Sequence, residues 1–304
     1  MKFDVIGFGA LNVDKLYKVN KIAGEDEESF VLGFRESPGG SAANTIAGLA
    51  RLGLKTGYVG KVANDPEGKL LLNDFKRAEV DIDGTIIAPT GRSGVVIGFV
   101  DMKGQRALYV DSGVNDTLEF KEIGLQYVRG SGFLHLTSFV GEKPFKAQKK
   151  LVEELSNVKV SLDPGEIYAR KGLAALEALI ERSFVVFPNE NEVRLLTGKG
   201  LKEGSKILIK KGASIVAAKL GGRGCYVTDS KESHLVKPRL TEVVDTTGAG
   251  DAFCAGFLYG LIERRDLYTC AELGNFVASR CITETGARRG LPKLSEMEKL
   301  EFSR

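Results

Sequence analysis

Short runs dense in β-branched and aromatic residues alternate along this chain with longer runs whose apolar positions recur every three or four residues. The short runs predict strands over 3–9, 56–61, 82–88, 133–137, 158–163, 184–187 and 215–219. The longer runs predict helices over 41–52, 67–78, 144–155, 172–182, 190–197, 249–263 and 268–284. Strands and helices in alternation are the pattern of an α/β fold, with a mostly parallel sheet flanked by helices in three layers. Two stretches break the rhythm. Residues 95–101 and 107–111, joined at Met102-Lys103-Gly104, predict a β-hairpin, and 29–35 is extended and available to pair with it. Strands inserted without crossover helices form a small separate sheet, expected from about 12–35 and 90–112 and positioned to act as a lid over a site. No linker or internal repeat divides residues 1–304, so a single domain is expected.

Composition removes several function classes. Forty-three Lys and Arg against 40 Asp and Glu leave a formal charge of +3. That is too near balance for nucleic acid or an anionic membrane to be the main partner. The longest nearly unbroken apolar stretch, 252–262, falls far short of a bilayer span. With no signal-peptide pattern at the N-terminus, the expected location is cytoplasmic. The four cysteines (225, 254, 270, 281) include no C-x-x-C pair and read as small buried hydrophobes rather than disulfide or zinc ligands. Only His135 and His234 are available for imidazole chemistry. His135 lies in the apolar run Phe133-Leu134-His135-Leu136, where a satisfied core histidine is the expected role.

Chemistry is concentrated in glycine segments. Asp245-Thr246-Thr247-Gly248-Ala249-Gly250-Asp251 runs into an apolar helix. Small residues before a helix let its backbone approach a ligand, and the free N–H groups of the first turn favour an anion. Asp251 stands in that turn, either as a cap or beside the anion. Pro38-Gly39-Gly40-Ser41-Ala42-Ala43-Asn44 opens a second helix, and there Asn44 offers both a donor and an acceptor. Lys219-Leu220-Gly221-Gly222-Arg223-Gly224 suits a hairpin turn or a phosphate loop equally. Acids follow two strands, at Asp163-Pro164-Gly165 and at Asn189-Glu190-Asn191-Glu192, where an open α/β sheet binds ligands. Gly7-Phe8-Gly9-Ala10-Leu11-Asn12 lacks the third glycine of a dinucleotide fingerprint, and no Walker A pattern occurs.

Taken together, Gly39 to Asn44 and Asp245 to Phe257 resemble the two signatures of the PfkB-type carbohydrate kinases of the ribokinase-like superfamily, in order and at the expected separation. The resemblance extends over essentially the whole chain. It implies a ribokinase-like core, with ATP and Mg2+ as cofactors and a small sugar or nucleoside as acceptor. It also implies that Asp251 is the catalytic base, with the N–H groups of Gly248, Ala249 and Gly250 as an anion hole. Asn12, Asp14, Gly40 and Asn44 match positions that hold sugar hydroxyls. Asn189 and Glu192 match the Asn-x-x-Glu motif that organises magnesium and phosphate. Lys219, Gly221 and Gly224 match the turn over the nucleotide phosphates, and Asn275 a position beside the adenine. Asp245, Thr247 and carbonyls around 283–290 resemble a monovalent-cation loop, K+ in many members, although Arg288-Arg289-Gly290 departs from its usual composition. A homodimer through the lid is the further expectation.

The expected reaction is transfer of the γ-phosphoryl group of ATP to a primary hydroxyl of a sugar, as in ribokinases or fructokinases. A nucleoside kinase of the same family is the alternative. A catalytically silent sugar- or nucleotide-binding regulator is more distant, because the base is intact. The lid decides between sugar and nucleoside: Val95, Ile97, Phe99, Leu108 and Val110 could wall a nucleobase or simply pack the lid on the core.

Overall fold

The computed structural model describes residues 2–299. The strands are β1 (Phe3–Phe8), β2 (Asn12–Val19), β3 (Val31–Gly39), β4 (Thr56–Ala63), β5 (Thr85–Ala88), β6 (Gly94–Val100), β7 (Arg106–Asp111), β8 (Ser131–Thr137), β9 (Lys159–Asp163), β10 (Ser183–Val186), β11 (Ile215–Lys219), β12 (Cys225–Thr228) and β13 (Ser233–Val236). The helices are α1 (Ser41–Arg51), α2 (Pro66–Arg77), α3 (Leu125–Arg129), α4 (Glu142–Glu154), α5 (Gly165–Ala169), α6 (Leu173–Glu181), α7 (Glu190–Thr197), α8 (Leu201–Lys210), α9 (Ala249–Ile262), α10 (Leu267–Cys281) and α11 (Leu294–Met297).

Nine strands form the main sheet in the order β13-β12-β11-β10-β9-β8-β1-β4-β5. The pairs from β11 through β5 are parallel, while β12 and β13 close one edge antiparallel. Alternate residues of the central strands supply two cores. Phe8, Leu134, Leu136, Val160, Leu162 and Val216 pack with α4 and α6 on one face. Val5, Phe133, Val185 and Ala217 pack with α1 and α9 on the other. Strands covered on both faces need no polar side, which is why they read as apolar runs.

The second sheet has the order β3-β2-β6-β7. The predicted hairpin is present as β6 and β7, with Val95 opposite Asp111. Its partner is corrected, however. β6 pairs in parallel with β2, from Asn12 opposite Gly94 onward, and β3 lies on the far side of β2. Residues 29–35 were expected beside the hairpin, but β2 lies between the two and pairs with both. The strand β3 also runs on to Gly39, beyond the expected limit at 35.

Four helices escaped the sequence pattern, α3, α5, α8 and α11, of which α8 is the longest. The α8 segment carries Gly204 and Ser205 in mid-helix, both poor helix formers, yet both are buried. A Cβ on Gly204 would lie 2.4 Å from Val193 Cγ1 and 2.6 Å from Thr197 Oγ1, so the glycine lets α8 press against α7. Tertiary contact overrides local propensity there. A Gly204→Val substitution is expected to destabilise the fold by about 1–3 kcal/mol through overpacking. The site residues lie on other elements and remain assembled, so denaturant melts should move while ligand affinity of the folded fraction stays constant.

Candidate active site

The carboxyl ends of β1, β8, β9 and β11 all open on one side of the main sheet, where the small sheet overhangs them. Between the two lies a cavity of about 1070 Å3 lined by Asn12, Asp14, Gly40, Asn44, Asp245, Thr247, Gly248 and Asp251, among others. Sequence positions more than 200 residues apart are thus brought to one place.

Close backbone approach shapes the floor. Gly40 has φ 100°, and a Cβ there would sit 2.3 Å from the Ala10 carbonyl oxygen. A Cβ on Gly39 would strike the Asp14 carboxylate at 2.4 Å. The Asn12 side chain is oriented by Asn115, which the sequence pattern had not singled out. Asn115 Nδ2 donates to Asn12 Oδ1 at 3.0 Å and to the Leu11 carbonyl at 2.9 Å, while its Oδ1 accepts from Leu11 N–H at 3.0 Å. The Asn12 NH2 is left for the cavity. Burial pushes the Asp14 carboxyl up to about 6, against the pull of Arg288 and Arg35.

Asp251 lies in the first turn of α9, but it does not cap the helix. The cap position is Gly248, with φ 77° and no side-chain cap bond. Asp251 Oδ2 instead accepts from Asn44 Nδ2 at 2.8 Å, and its carbonyl accepts from Thr45 Oγ1 at 3.1 Å. Burial pushes its carboxyl up to about 7; the bond from Asn44 and the charges of Lys219 and Arg288 oppose this, while Asp163 reinforces it. A carboxylate poised near neutrality is suited to accept a proton. Of the three N–H groups expected to hold an anion, that of Ala249 donates to the Thr246 carbonyl at 3.2 Å. Those of Gly248 and Gly250 have no such partner among the described residues.

Behind Asp251 stands a buried ion pair. Lys219 Nζ lies 2.5 Å from Asp163 Oδ2, and a Cβ on Gly250 would lie 3.6 Å from the same ammonium. Asp163, the last residue of β9, and Glu192 hold Lys219 charged although its side chain is largely buried. Glu192 reaches back to the Asn189 N–H at 2.8 Å, while Asn189 Oδ1 accepts from Glu192 N–H at 2.9 Å. This capping box starts α7. Burial, with Asp163 adding to it, pushes the Glu192 carboxyl up to about 7. Among the described residues no cluster of three or more His, Cys, Asp or Glu side chains could hold a metal ion by itself, so a divalent cation here would rest on one or two of these carboxylates.

Gly221, Gly224 and Asn275 lie outside the cavity lining. Gly221 (φ 58°) and Gly224 (φ 86°) form the tight turn between β11 and β12. A Cβ on Gly224 would meet the Val236 carbonyl at 2.1 Å. Asn275 spends its amide on the protein itself, donating to the carbonyls of Lys237 at 2.9 Å and Val236 at 3.3 Å. Asp245 accepts from Thr247 N–H at 2.9 Å and from Gly286 N–H at 2.8 Å, and Arg35 of the small sheet lies 3.8 Å from it. The carbonyls of Thr247 and Ala287 both face the Cys281 thiol, so oxygens converge beside Asp245. His135 is a buried core residue, its Nδ1 3.0 Å from Ser161 Oγ, and burial pulls its pKa down to about 4.

Strand alternation sorts the small sheet's apolar residues. Leu16, Val96, Leu108 and Val110 line the cavity. Phe99 lies on the opposite face and stacks on Tyr17 at 5.6 Å, and Val95 and Ile97 share its strand parity.

A family model described as pfkB family carbohydrate kinase matches residues 2–294. The chain is 46% identical over 249 residues to an uncharacterized sugar kinase of Archaeoglobus fulgidus, spanning 81% of this chain and 98% of that protein. It is 32% identical over 287 residues to an ATP-dependent ribose-1-phosphate kinase of Halopiger xanaduensis, 93% of each chain being covered. Among solved structures, ribokinase of Arabidopsis thaliana complexed with ribose and ATP superposes with a TM-score of 0.86 at 24% identity, covering 100% of both chains. The architecture is therefore the ribokinase-like one.

The raised pKa of Asp251 has a stability consequence with a definite sign. In the unfolded chain the carboxyl ionises near 3.8, in the folded protein near 7, so folding takes up a proton between those values. Stability is lost as pH rises through that window. Asp251→Asn abolishes the charge and is expected to raise stability at pH 8 by on the order of 1–3 kcal/mol, with little change at pH 4. Melting temperatures of the two proteins at both pH values check this; equal differences at the two would refute it.

Proposed function

Since the chain belongs to the pfkB family of carbohydrate kinases, we propose that it transfers the γ-phosphoryl group of ATP to a primary hydroxyl of a sugar, with Asp251 as base. That it is a sugar kinase, a phosphotransferase with an alcohol group as acceptor, follows from the family and its relatives. The observation that carries the finer reading is the meeting of Asn12, Asp14, Asn44 and Asp251 in one cavity beside the N-terminus of α9.

Each group has a part in the chemistry. Asn12, Asp14 and the Gly40 backbone hold the hydroxyls of the acceptor. Asn44 aims the Asp251 carboxylate, which orients the reacting hydroxyl and takes its proton as the bond to phosphorus forms. Phosphoryl transfer has a loose transition state, so positioning and charge stabilisation do most of the work. The N–H groups of Gly248 and Gly250 supply preorganised donors for the oxygens of the transferred group. That of Ala249 joins them if it leaves the Thr246 carbonyl. Lys219, adjoining Gly250, adds positive charge on the same side. The turn at Gly221 and Gly224 faces the nucleotide phosphates, and Asn275 shapes the wall next to the adenine through the Val236 and Lys237 carbonyls it holds. Family kinases use ATP, as in the Arabidopsis ribokinase complex. Magnesium would be held through the surroundings of Asn189, Glu192 and Asp163, and would supply charge to neutralise the phosphates. A potassium ion would be held by Asp245 and the carbonyls of Thr247 and Ala287. The small sheet acts as the lid that excludes water.

A nucleoside acceptor is the second reading, favoured by the apolar belt of Leu16, Val96, Leu108 and Val110 facing the cavity. On the same face Lys18, Arg35 and Arg106 would suit an acidic or phosphorylated sugar. ADP release measured with ribose, fructose, ribose 1-phosphate, 2-keto-3-deoxygluconate, adenosine and cytidine separates these. On the best acceptor, Asp251→Asn is expected to lower kcat by about 10²–10⁴-fold with much smaller changes in KM. Near-normal turnover of this variant would refute the mechanism.

The outer face of the lid supports a homodimer. Phe34, Tyr17, Phe99 and Tyr109 form a continuous aromatic row with centroid spacings of 4.9, 5.6 and 6.2 Å. Leu32 and Tyr109 remain more than half exposed, and an apolar sheet face of this kind favours association. Sedimentation of the wild type is expected to give a dimer, and Leu32→Glu with Tyr109→Glu a monomer.

A further inference from the structure

We infer that Arg288 is a positioning residue for Asp251, fixing the side-chain amide of Asn44 from behind so that it addresses the carboxylate in one orientation. The inference rests on the assignment of Asp251 as base. Arg288 lies in the segment between α10 and α11. Its side chain is largely buried, 15% exposed. Its Nε donates to Asn44 Oδ1 at 2.8 Å, its Nη1 is paired with Asp74 of α2, and its guanidinium carbon lies 5.8 Å from the ring centroid of Phe75. With Asn44 Nδ2 bonded to Asp251, four side chains from separate parts of the chain form one relay: Asp74, Arg288, Asn44, Asp251.

The relay removes an ambiguity inherent in an asparagine. A free amide can present either its oxygen or its NH2 to a neighbour. Arginine has no acceptor, so the Arg288 contact compels Oδ1 to face it, and only the NH2 is left for Asp251. That orientation stabilises the ionised carboxylate; the reverse would set oxygen against oxygen. Among the described residues, Arg288 Nη2 is buried without a hydrogen-bond partner. The charge is therefore incompletely satisfied by Asp74, and its field extends to Asp14, Tyr58 and Asp251. The other groups facing Asp251 are Asp163 of β9, Lys219 of β11, Cys254 on its own helix, Cys281 of α10 and Tyr58 of β4. Burial raises the pKa of both thiols and of the phenol, which keeps them neutral. Asp163 and Lys219 are paired with each other. Arg288 is thus the cation joined to the base through a hydrogen-bonded intermediary.

Two substitutions in the full chain separate orientation from charge. Arg288→Gln removes the charge; Arg288→Lys keeps it but cannot hold Asp74 and Asn44 with one rigid fork. Carboxyl titrations are read by 13C NMR, with Asp251→Asn identifying the Asp251 signal, and kcat is followed against pH on the best acceptor. In Arg288→Gln the Asp251 midpoint is expected to rise by about 1 pH unit, with the acid limb of kcat moving equally. Plateau kcat should fall about 10-fold in both variants, while KM for ATP stays within about threefold. In Arg288→Lys the midpoint should return close to that of the wild type. An unmoved midpoint in folded Arg288→Gln overturns the proposal, as does wild-type plateau kcat in Arg288→Lys. Should Arg288→Gln fail to fold, Arg288→Lys decides by its kcat. A shifted midpoint in Arg288→Gln together with an active Asp251→Asn would overturn the base assignment while leaving the relay intact.

Discussion

The hydrogen bond from Asn44 to Asp251 joins residues 207 positions apart, and the site depends on the close packing that permits it. Both side chains stand in the first turn of a helix, so they meet only if the N-terminal ends of α1 and α9 approach closely. Small residues allow that approach. A Cβ on Gly48 of α1 would lie 3.0 Å from the Ala255 Cβ of α9, and Ala42, Ala43 and Ala47 keep the same helix slim. At the entrance, a Cβ on Gly248 would lie 2.4 Å from that of Ala287. A larger residue at either glycine would separate the halves of the site. The glycines and alanines of both signatures thus serve helix packing as much as ligand approach.

Packing of this kind creates a dry floor, and the dry floor gives the charges their character. Asp14, Asp251 and Glu192 are each pushed toward neutrality by burial, while Lys219 remains charged through Asp163. In water these would be four unremarkable groups. Removed from it, each depends on specific partners, and its protonation responds to whatever binds nearby. Mutual dependence of this sort suits a reaction in which negative charge arrives with one substrate and a proton leaves the other.

The small sheet divides its labour by parity. One set of alternating positions carries Asn12, Asp14, Leu16 and Lys18 along β2 toward the cavity. The other sends Val13 into the core and Lys15 and Tyr17 away from the cavity, where Lys15 reaches Glu67 of α2 at 2.6 Å and anchors the sheet to the core. Polar residues come first along the strand, an apolar belt follows, and basic residues mark the rim. A single strand therefore grades the cavity from a polar end to a charged mouth.

Periodicity by itself determined the layered α/β core, because both-face burial writes apolar runs into strands and 3.6-residue spacing into helices. The glycine segments at 39–40 and 248–250, with Asn44 and Asp251 just beyond them, were equally legible, since close backbone approach leaves no alternative residue type. Local sequence could not reveal α8, whose Gly204 is explained only by Val193 and Thr197 across the interface. Nor could it assign β2 to the middle of the small sheet, since strand order is a matter of long-range pairing. The partnerships of Asp163 with Lys219, Asn115 with Asn12, and Arg288 with Asn44 and Asp74 were likewise invisible. Each is made by side chains far apart in sequence, and a residue's chemistry in a dry interior is set by what faces it there, which only the tertiary fold decides.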